Sequence, residues 1–215
     1  MIRKYKTIFK YGKDEIIINK SKFIGYAKPI ENEEEALEFI EEIKIKHRDA
    51  THNVYAYVIG ETSNIQRFSD DGEPSGTAGI PALEVIKKEN LRNIVVVITR
   101  YFGGTKLGAG GLIRAYTKGA KIGIEAGIIV DMVLHKKLKV RLDYTSYGKV
   151  ENYIINEDFV VDESIYDDKV NIFVYVEKNK KDEFSNIITN LTSGEAIIEY
   201  IDEEYIPVKG KKKLI

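Results

Sequence analysis

Ile94-Val95-Val96-Val97-Ile98-Thr99-Arg100-Tyr101-Phe102-Gly103-Gly104-Thr105-Lys106-Leu107-Gly108-Ala109-Gly110-Gly111-Leu112-Ile113-Arg114 is the stretch that decides how this chain folds. Its first five residues are an unbroken β-branched run, which suits a strand buried on both faces. Five glycines follow within nine residues, and a helix is expected from about Ala109 to Ala126. Glycine lets backbone reach positive φ and approach a ligand closely. The free N–H groups of a helix start, with the macrodipole behind them, favour an anion. Arg100 and Lys106 flank the loop, and Arg114, Lys118, Lys121 and Glu125 recur at helical spacing behind it. Leu112, Ile113, Tyr116, Ala120 and Ile124 form the opposing apolar face. The candidate anion or nucleic-acid site is therefore Arg100, Gly103, Gly104, Lys106, Gly108, Gly110, Gly111, Arg114 and Lys118. The competing reading is a glycine-rich turn that permits tight strand–helix packing. Neither G-x-x-x-x-G-K-[ST] nor the third glycine of G-x-G-x-x-G is present.

Working outward, Tyr5–Tyr11, Glu15–Asn19 and Lys22–Ile30 alternate as strands, with Gly12-Lys13-Asp14 as a hairpin turn between the first two. Asn32 with Glu35 three residues on marks a helix over Glu33–Lys46, with Ala36, Leu37, Phe39, Ile40 and Ile43 inward. His52–Ile59 is a strand with Val54, Ala56 and Val58 on one side and Tyr55 and Tyr57 on the other. Gly60–Pro81 is a long connection, a length that is usually functional or disordered. A helix to Lys88 follows it. From Lys136 the order is β-α-β-β-α-β, the split-βαβ, ferredoxin-like arrangement. The boundary falls near Leu134–Lys137, giving a first domain over 1–135, a second over 136–205 and a frayed basic tail over 206–215.

A second constellation lies in the long connection, Arg67-Phe68-Ser69-Asp70-Asp71-Gly72-Glu73-Pro74-Ser75-Gly76-Thr77-Ala78-Gly79. Asp70, Asp71 and Glu73 could hold Mg²⁺, or one could act as a general base; Ser75 and Thr77 stand beside them. The plainer reading is a turn in which Ser75 or Thr77 caps the next helix. His52, just upstream, is the one histidine of three worth testing, His47 and His135 being structural by position. Tyr101, with Tyr55 and Tyr57, offers a ring for base stacking, against the commoner role of a half-buried strand residue.

Composition narrows the classes. The 215 residues contain no cysteine, which excludes disulfides, thiol nucleophiles and Cys-type zinc sites and fits a reducing compartment. No apolar run reaches the ~20 residues of a membrane span, and Met1–Gly12 lacks a signal-peptide apolar core. A cytoplasmic location and no membrane partner are expected. The net charge of −1 hides an asymmetry: residues 1–136 carry 21 Lys/Arg against 18 Asp/Glu, the remainder 12 against 16. Seven of those 18 acids crowd into residues 31–42, so the rest of the first domain is strongly basic.

At these residues the sequence resembles the IMPACT/YigZ family. The resemblance rests on Ser21-Lys22-Phe23-Ile24, Ala50-Thr51-His52, Asp70 through Gly79, Arg100-Tyr101-Phe102-Gly103-Gly104, Leu107-Gly108, Gly110-Gly111-Leu112 and Arg114-Ala115-Tyr116. It implies an α+β protein. Its first domain would have the two-layer α/β fold shared by elongation factor G domain IV, a small-subunit ribosomal protein and the GHMP kinases. Its second would be the ferredoxin-like domain of the bacterial members, similar to another elongation factor G domain. Eukaryotic members restrain an amino-acid-starvation-sensing kinase with the help of an additional RWD domain, and that role is not carried over to a sequence that opens on the family domain. No reaction is implied. The expectations are, in order, binding of RNA or the ribosome, a Mg²⁺-dependent enzyme on a phosphorylated small molecule, and a protein-interaction scaffold using the Glu33–Glu42 helix. No cofactor is otherwise expected, and oligomeric state is not readable.

Overall fold

The structure, a computed structural model, describes residues 2–210 and 212–214. Met1 at the alternating N-terminus, and Lys211 and Ile215 of the basic tail, lie outside the described residues. The chain is α+β, with two antiparallel sheets and five α-helices among the described residues. It separates into two compact units, Tyr5–Asp131 and Ile2–Lys4 together with the chain from Met132 onward.

The first unit contains β1 (Lys4–Ile8) from Tyr5 on, β2 (Gly12–Ile18), β3 (Ser21–Pro29), α1 (Glu33–Lys46), β4 (His52–Ile59), β5 (Ile65–Ser69), α2 (Gly79–Lys88), β6 (Ile94–Tyr101) and α3 (Gly108–Gly127). Its sheet runs β2-β3-β6-β4-β5, all neighbours antiparallel. The β-branched run places β6 at the centre, where Ile94 through Ile98 are fully buried. Val95 and Val97 pack with Tyr26, Phe39 and Ile43 under α1, while Ile94, Val96 and Ile98 pack with residues of α2 and α3. Tyr55 and Tyr57 join the first of these cores and Val54, Ala56 and Val58 the second, as the alternation requires. The sheet thus has helices on both faces. Three layers replace the two expected, because the acidic amphipathic helix α1 covers the face that a two-layer domain leaves open.

Other corrections follow from pairing and exposure. The hairpin joins β2 to β3, not β1 to β2: Ile18 pairs Ser21 around Asn19 and Lys20, both at positive φ (45° and 67°). Two successive positive φ values match the twist of a tight hairpin, and Gly12 is instead the first residue of β2. Leu37 is 53% exposed and Ile113 42%, so neither belongs to the face assigned to it. The connection after β4 is not structureless; β5 pairs with β4 along the sheet edge, Tyr55 opposite Ser69 and Ile59 opposite Ile65. The cap of α1 is as expected, with Asn32 Oδ1 accepting the Glu35 N–H at 3.0 Å and Glu35 Oε2 accepting the Glu31 N–H at 2.9 Å.

The second unit follows the anticipated element order, β7 (Ile129–Leu142), α4 (Tyr144–Asn156), β8 (Val160–Tyr166), β9 (Val170–Glu177), α5 (Lys181–Leu191) and β10 (Ile197–Lys209), then β11 (Lys212–Lys213). Its strands run β11-β10-β7-β9-β8. Leu138, Val140, Ile172 and Val174 of the sheet close on Val150, Ile154, Phe184 and Ile188 of the two helices. Arg3 joins this unit by accepting the Leu134 N–H at 3.0 Å, and the Tyr205 hydroxyl donates to the Ile2 carbonyl at 2.6 Å. The tail is not frayed where it is described: Val208 and Lys209 pair with Lys213 and Lys212. Among the described residues no helix is long and apolar enough to cross a membrane.

Candidate functional site

The glycines of α3 do two different jobs. Gly119, Gly123 and Gly127 recur every four residues on the face that meets the sheet. A Cβ on Gly25 of β3 would stand 2.0 Å from the Gly119 carbonyl oxygen, and one on Gly12 of β2 2.3 Å from that of Gly123. These contacts seat the helix directly on β2 and β3, so the packing reading holds for the body of α3. At its start the situation reverses. Gly104 (φ 82°) and Gly108 (φ 68°) hold conformations that favour glycine, with no atom within 4 Å of an added Cβ.

That start is open. Leu107 occupies the N-cap position and supplies no side-chain hydrogen bond. Gly104, Lys106, Gly108, Ala109 and Gly110 are exposed, and Gly111 is half-buried. Arg114 folds back over the first turn, its Nη1 3.6 Å from where a Gly110 Cβ would be. Lys106, Arg114 and Lys118 are exposed and have no ion-pair partner among the described residues, whereas Lys121 meets Glu125 at 3.7 Å.

Arg100 is elsewhere. It is 5% exposed, and its guanidinium donates through Nη1 to Glu73 Oε1. Phe23 and Phe102 stack on the guanidinium, each ring centroid 5.5 Å from Cζ. Tyr116 of α3 donates its hydroxyl to the same Glu73 oxygen at 2.8 Å, and burial, then the Glu73 charge, raise its pKa far above the ordinary phenol value. His52 Nδ1 donates to the Asp71 carbonyl at 2.7 Å, leaving Nε2 3.7 Å from Glu73 Oε1. Arg100, expected at the surface beside the loop, is thus part of the floor beneath it. Gly103, too, is structural: its N–H donates to Ser21 Oγ at 3.1 Å, and a Cβ there would lie 2.0 Å from the Lys20 backbone.

The acidic loop does not build a metal cage. The Asp70 carboxylate accepts the N–H groups of Gly76 (2.8 Å), Ala78 (3.0 Å) and Gly79 (2.8 Å), which makes it the cap of α2. Neither Ser75 nor Thr77 plays that part: Ser75 is exposed and the Thr77 hydroxyl donates to the Pro74 carbonyl at 2.6 Å. Asp71 turns away to accept the Asn53 N–H at 2.6 Å, and Glu73 faces Arg100. The three carboxylates diverge, each committed to a donor of the chain. Among the described residues no three His, Asp or Glu side chains are placed to share a cation. The structure does link the acidic and glycine-rich segments, but through the buried Glu73–Arg100 pair.

Tyr101 is half-buried and engaged on the other face of β6. Its hydroxyl donates to Asp49 Oδ1 at 3.1 Å and lies 2.8 Å from His47 Nδ1, while His47 Nε2 lies 2.6 Å from the Tyr26 hydroxyl. A carboxylate only accepts, so the direction of the chain is set: Tyr26 donates to His47, His47 to Tyr101, and Tyr101 to Asp49. Burial, then the Tyr11 hydroxyl beside it, push the Tyr26 phenol up to about 12, and burial, then Lys46, lower the His47 pKa. Tyr57 is buried and donates to Glu33 Oε1 at 2.6 Å, and Tyr55 stacks on it at 6.3 Å. The exposed ring of this region is Phe102, at 47%. Sequence reasoning passed over it.

The pattern of the Impact N-terminal domain matches residues 19–124, which takes in every candidate residue from His52 to Lys118, and that of a domain of unknown function matches residues 140–195. Over 206 residues the chain is 45% identical to IMPACT family member YvyE of Bacillus subtilis, covering 96% of this chain and 95% of that protein. The chain belongs to the IMPACT family. An IMPACT family member of Haemophilus influenzae is 34% identical over 190 residues, covering 86% and 91% of the two chains. A solved structure, described as a crystal structure of a hypothetical protein, superposes with a TM-score of 0.60 at 28% identity, covering 94% of this chain and 99% of that one.

Proposed function

We propose that this IMPACT family protein binds a phosphate-bearing ligand at the open start of α3, and that the ligand is RNA. One observation carries the reading: an exposed, uncapped helix start stands beside Lys106, Arg114 and Lys118, none of them paired with a carboxylate among the described residues. The free N–H groups and the helix dipole favour an anion there, and the three cations deepen the potential. Arg114 and Lys118 lie one turn apart, about 6 Å along the axis, so the charge is spread along a line rather than focused on one phosphate. A backbone of successive phosphates matches that spread better than a small metabolite does. The divergent carboxylates give the alternative of a Mg²⁺-dependent enzyme no comparable support.

The finer fold likenesses belong to the same reading. The order β10-β7-β9-β8, with the first and third strands of the β-α-β-β-α-β unit central, supports a ferredoxin-like second unit. An antiparallel sheet carrying α2 and α3 on one face supports a likeness of the first unit to elongation factor G domain IV, with α1 as an added layer. Both are pieces of a translation factor, so a cytoplasmic, ribosome-linked role in translation follows as an analogy of fold.

The test is filter binding of RNA across a salt series with the unaltered protein and a Lys106→Ala, Arg114→Ala double variant. Each phosphate contact to a single strand contributes about 0.7 to the slope of log affinity against log salt, so losing two should flatten it by about 1.4 as affinity falls. Equal affinity and equal slope in the two proteins would remove the site.

A further inference from the structure

Resting on the RNA reading above, we infer that Phe102 is a base-stacking platform, and that the ligand it selects is single-stranded RNA rather than duplex. Phe102 is the residue that carries the chain from β6 into the glycine loop, and it leaves nearly half of its surface in solvent. An exposed phenylalanine is ordinarily a loose side chain, but this one is held from beneath. One side of the ring rests on the Arg100 guanidinium, 5.5 Å from centroid to Cζ. That guanidinium is itself fixed against Phe23 and by Glu73, in a pocket where both charged side chains are almost fully buried. The backbone is pinned as well: the Phe102 N–H donates to Thr51 Oγ1 at 3.0 Å and the next N–H to Ser21 Oγ. Such support places a flat apolar surface at small entropic cost on binding.

Its surroundings choose the occupant. Gly103, the next residue, packs on the backbone of Lys20. Lys106 follows four residues after Phe102, just before the start of α3. A ring backed by the Arg100 guanidinium, in a loop that leads through Lys106 to an anion-favouring helix start, accepts a nucleobase on its face and the attached phosphates beyond it. Aliphatic or acidic partners use only half of that surface. Bases in a duplex are already stacked on one another and cannot lie on a protein ring, so the platform reads unpaired nucleotides.

The chain contains no tryptophan, so Phe102→Trp introduces a lone indole whose emission reports on position 102 alone. Titration with a single-stranded RNA dodecamer should quench that emission, with a midpoint equal to the affinity from filter binding. The same strand annealed to its complement should leave it unchanged. Phe102→Ala should bind the single strand about tenfold or more weakly, with its salt slope intact because no ionic contact is lost. If the unaltered protein binds RNA but Phe102→Ala binds equally well and the Phe102→Trp emission does not respond, the platform is wrong while the α3 site stands. Quenching by the duplex equal to that by the single strand overturns the selectivity. No RNA binding by the unaltered protein overturns both proposals.

Discussion

α2 and α3 begin within one small unit and face the same electrostatic problem, yet their first turns are treated in opposite ways. At α2 the chain supplies its own anion: Asp70, nine residues before Gly79, curls back and accepts three N–H groups. At α3 no side chain among the described residues caps the start, and the charged residues that flank it in the chain, Lys106 and Arg114, are cations. A carboxylate holding three amide donors has the bonding that a phosphate would take at the same place. Asp70 is therefore an internal gauge of what the α3 start lacks. The contrast teaches that a glycine-rich approach to a helix is not itself a binding site. What distinguishes the two is whether the chain has already spent a carboxylate there.

The largest effect is expected where the two regions are tied together. Glu73 leaves the α2 loop to reach Arg100 beneath the α3 loop, and both side chains are nearly inaccessible. Glu73→Ala would leave a buried guanidinium uncompensated, a loss of about 3–5 kcal/mol, and Glu73→Gln, which keeps an acceptor for Tyr116, should lose less. Urea denaturation measures both; a change below about 1 kcal/mol for Glu73→Ala would mean the pair does not hold the loops. Next is the gauge itself. Asp70→Ala orphans three donors at the α2 start and should destabilise by about 2 kcal/mol, whereas Lys106→Ala with Arg114→Ala should stay within about 0.5 kcal/mol. Equal losses at the two helix starts would erase the distinction between a start capped by the chain and one left uncapped.

How much of this was legible in advance depends on whether the deciding interaction is local. The caps and strands governed by neighbours read correctly: Asn32 with Glu35, the alternation in β4, the buried run of β6. The α3 start and the exposure of its cations also followed, because helical spacing alone puts Arg114 and Lys118 on the side away from Leu112 and Tyr116. β5 was hidden because Gln66, Arg67 and Phe68 are all exposed on an edge and show no apolar alternation. Arg100 was misplaced for a different reason. Nothing local announces that Glu73, 27 residues earlier, will return to neutralise it, so a charge next to a glycine loop looked like a surface charge. The same long-range pairing hid Phe102, whose platform exists only because Arg100 is buried under it.

The smallest effect concerns pH, and it separates the two helix starts by what supports them. Tyr101, the last residue of β6, is held by His47, and the hydrogen-bond chain through that ring needs neutral imidazole: Nδ1–H donates to Tyr101 and the Nε2 lone pair accepts from Tyr26. An imidazolium has no lone pair to offer Tyr26. Burial holds the folded pKa of His47 below its ordinary 6.5, so at pH values between the two the unfolded chain binds more protons than the folded one. Stability therefore rises with pH there; the contribution is present above about 6.5 and is lost as pH falls through the lower folded value. His135, fully buried and likewise lowered mainly by burial, acts in the same sense, so the two must be told apart. Comparing urea midpoints at about pH 7.5 and about pH 5, the unaltered protein should lose more than His47→Gln does. Acid should also lower the exchange protection factors of the Phe102 and Gly103 amides, each taken relative to intrinsic exchange at that pH, while Gly76, Ala78 and Gly79 stay protected by Asp70. Equal acid sensitivity in the His47→Gln variant, or uniform loosening of both segments, would show that the approach to α3 does not depend on this histidine.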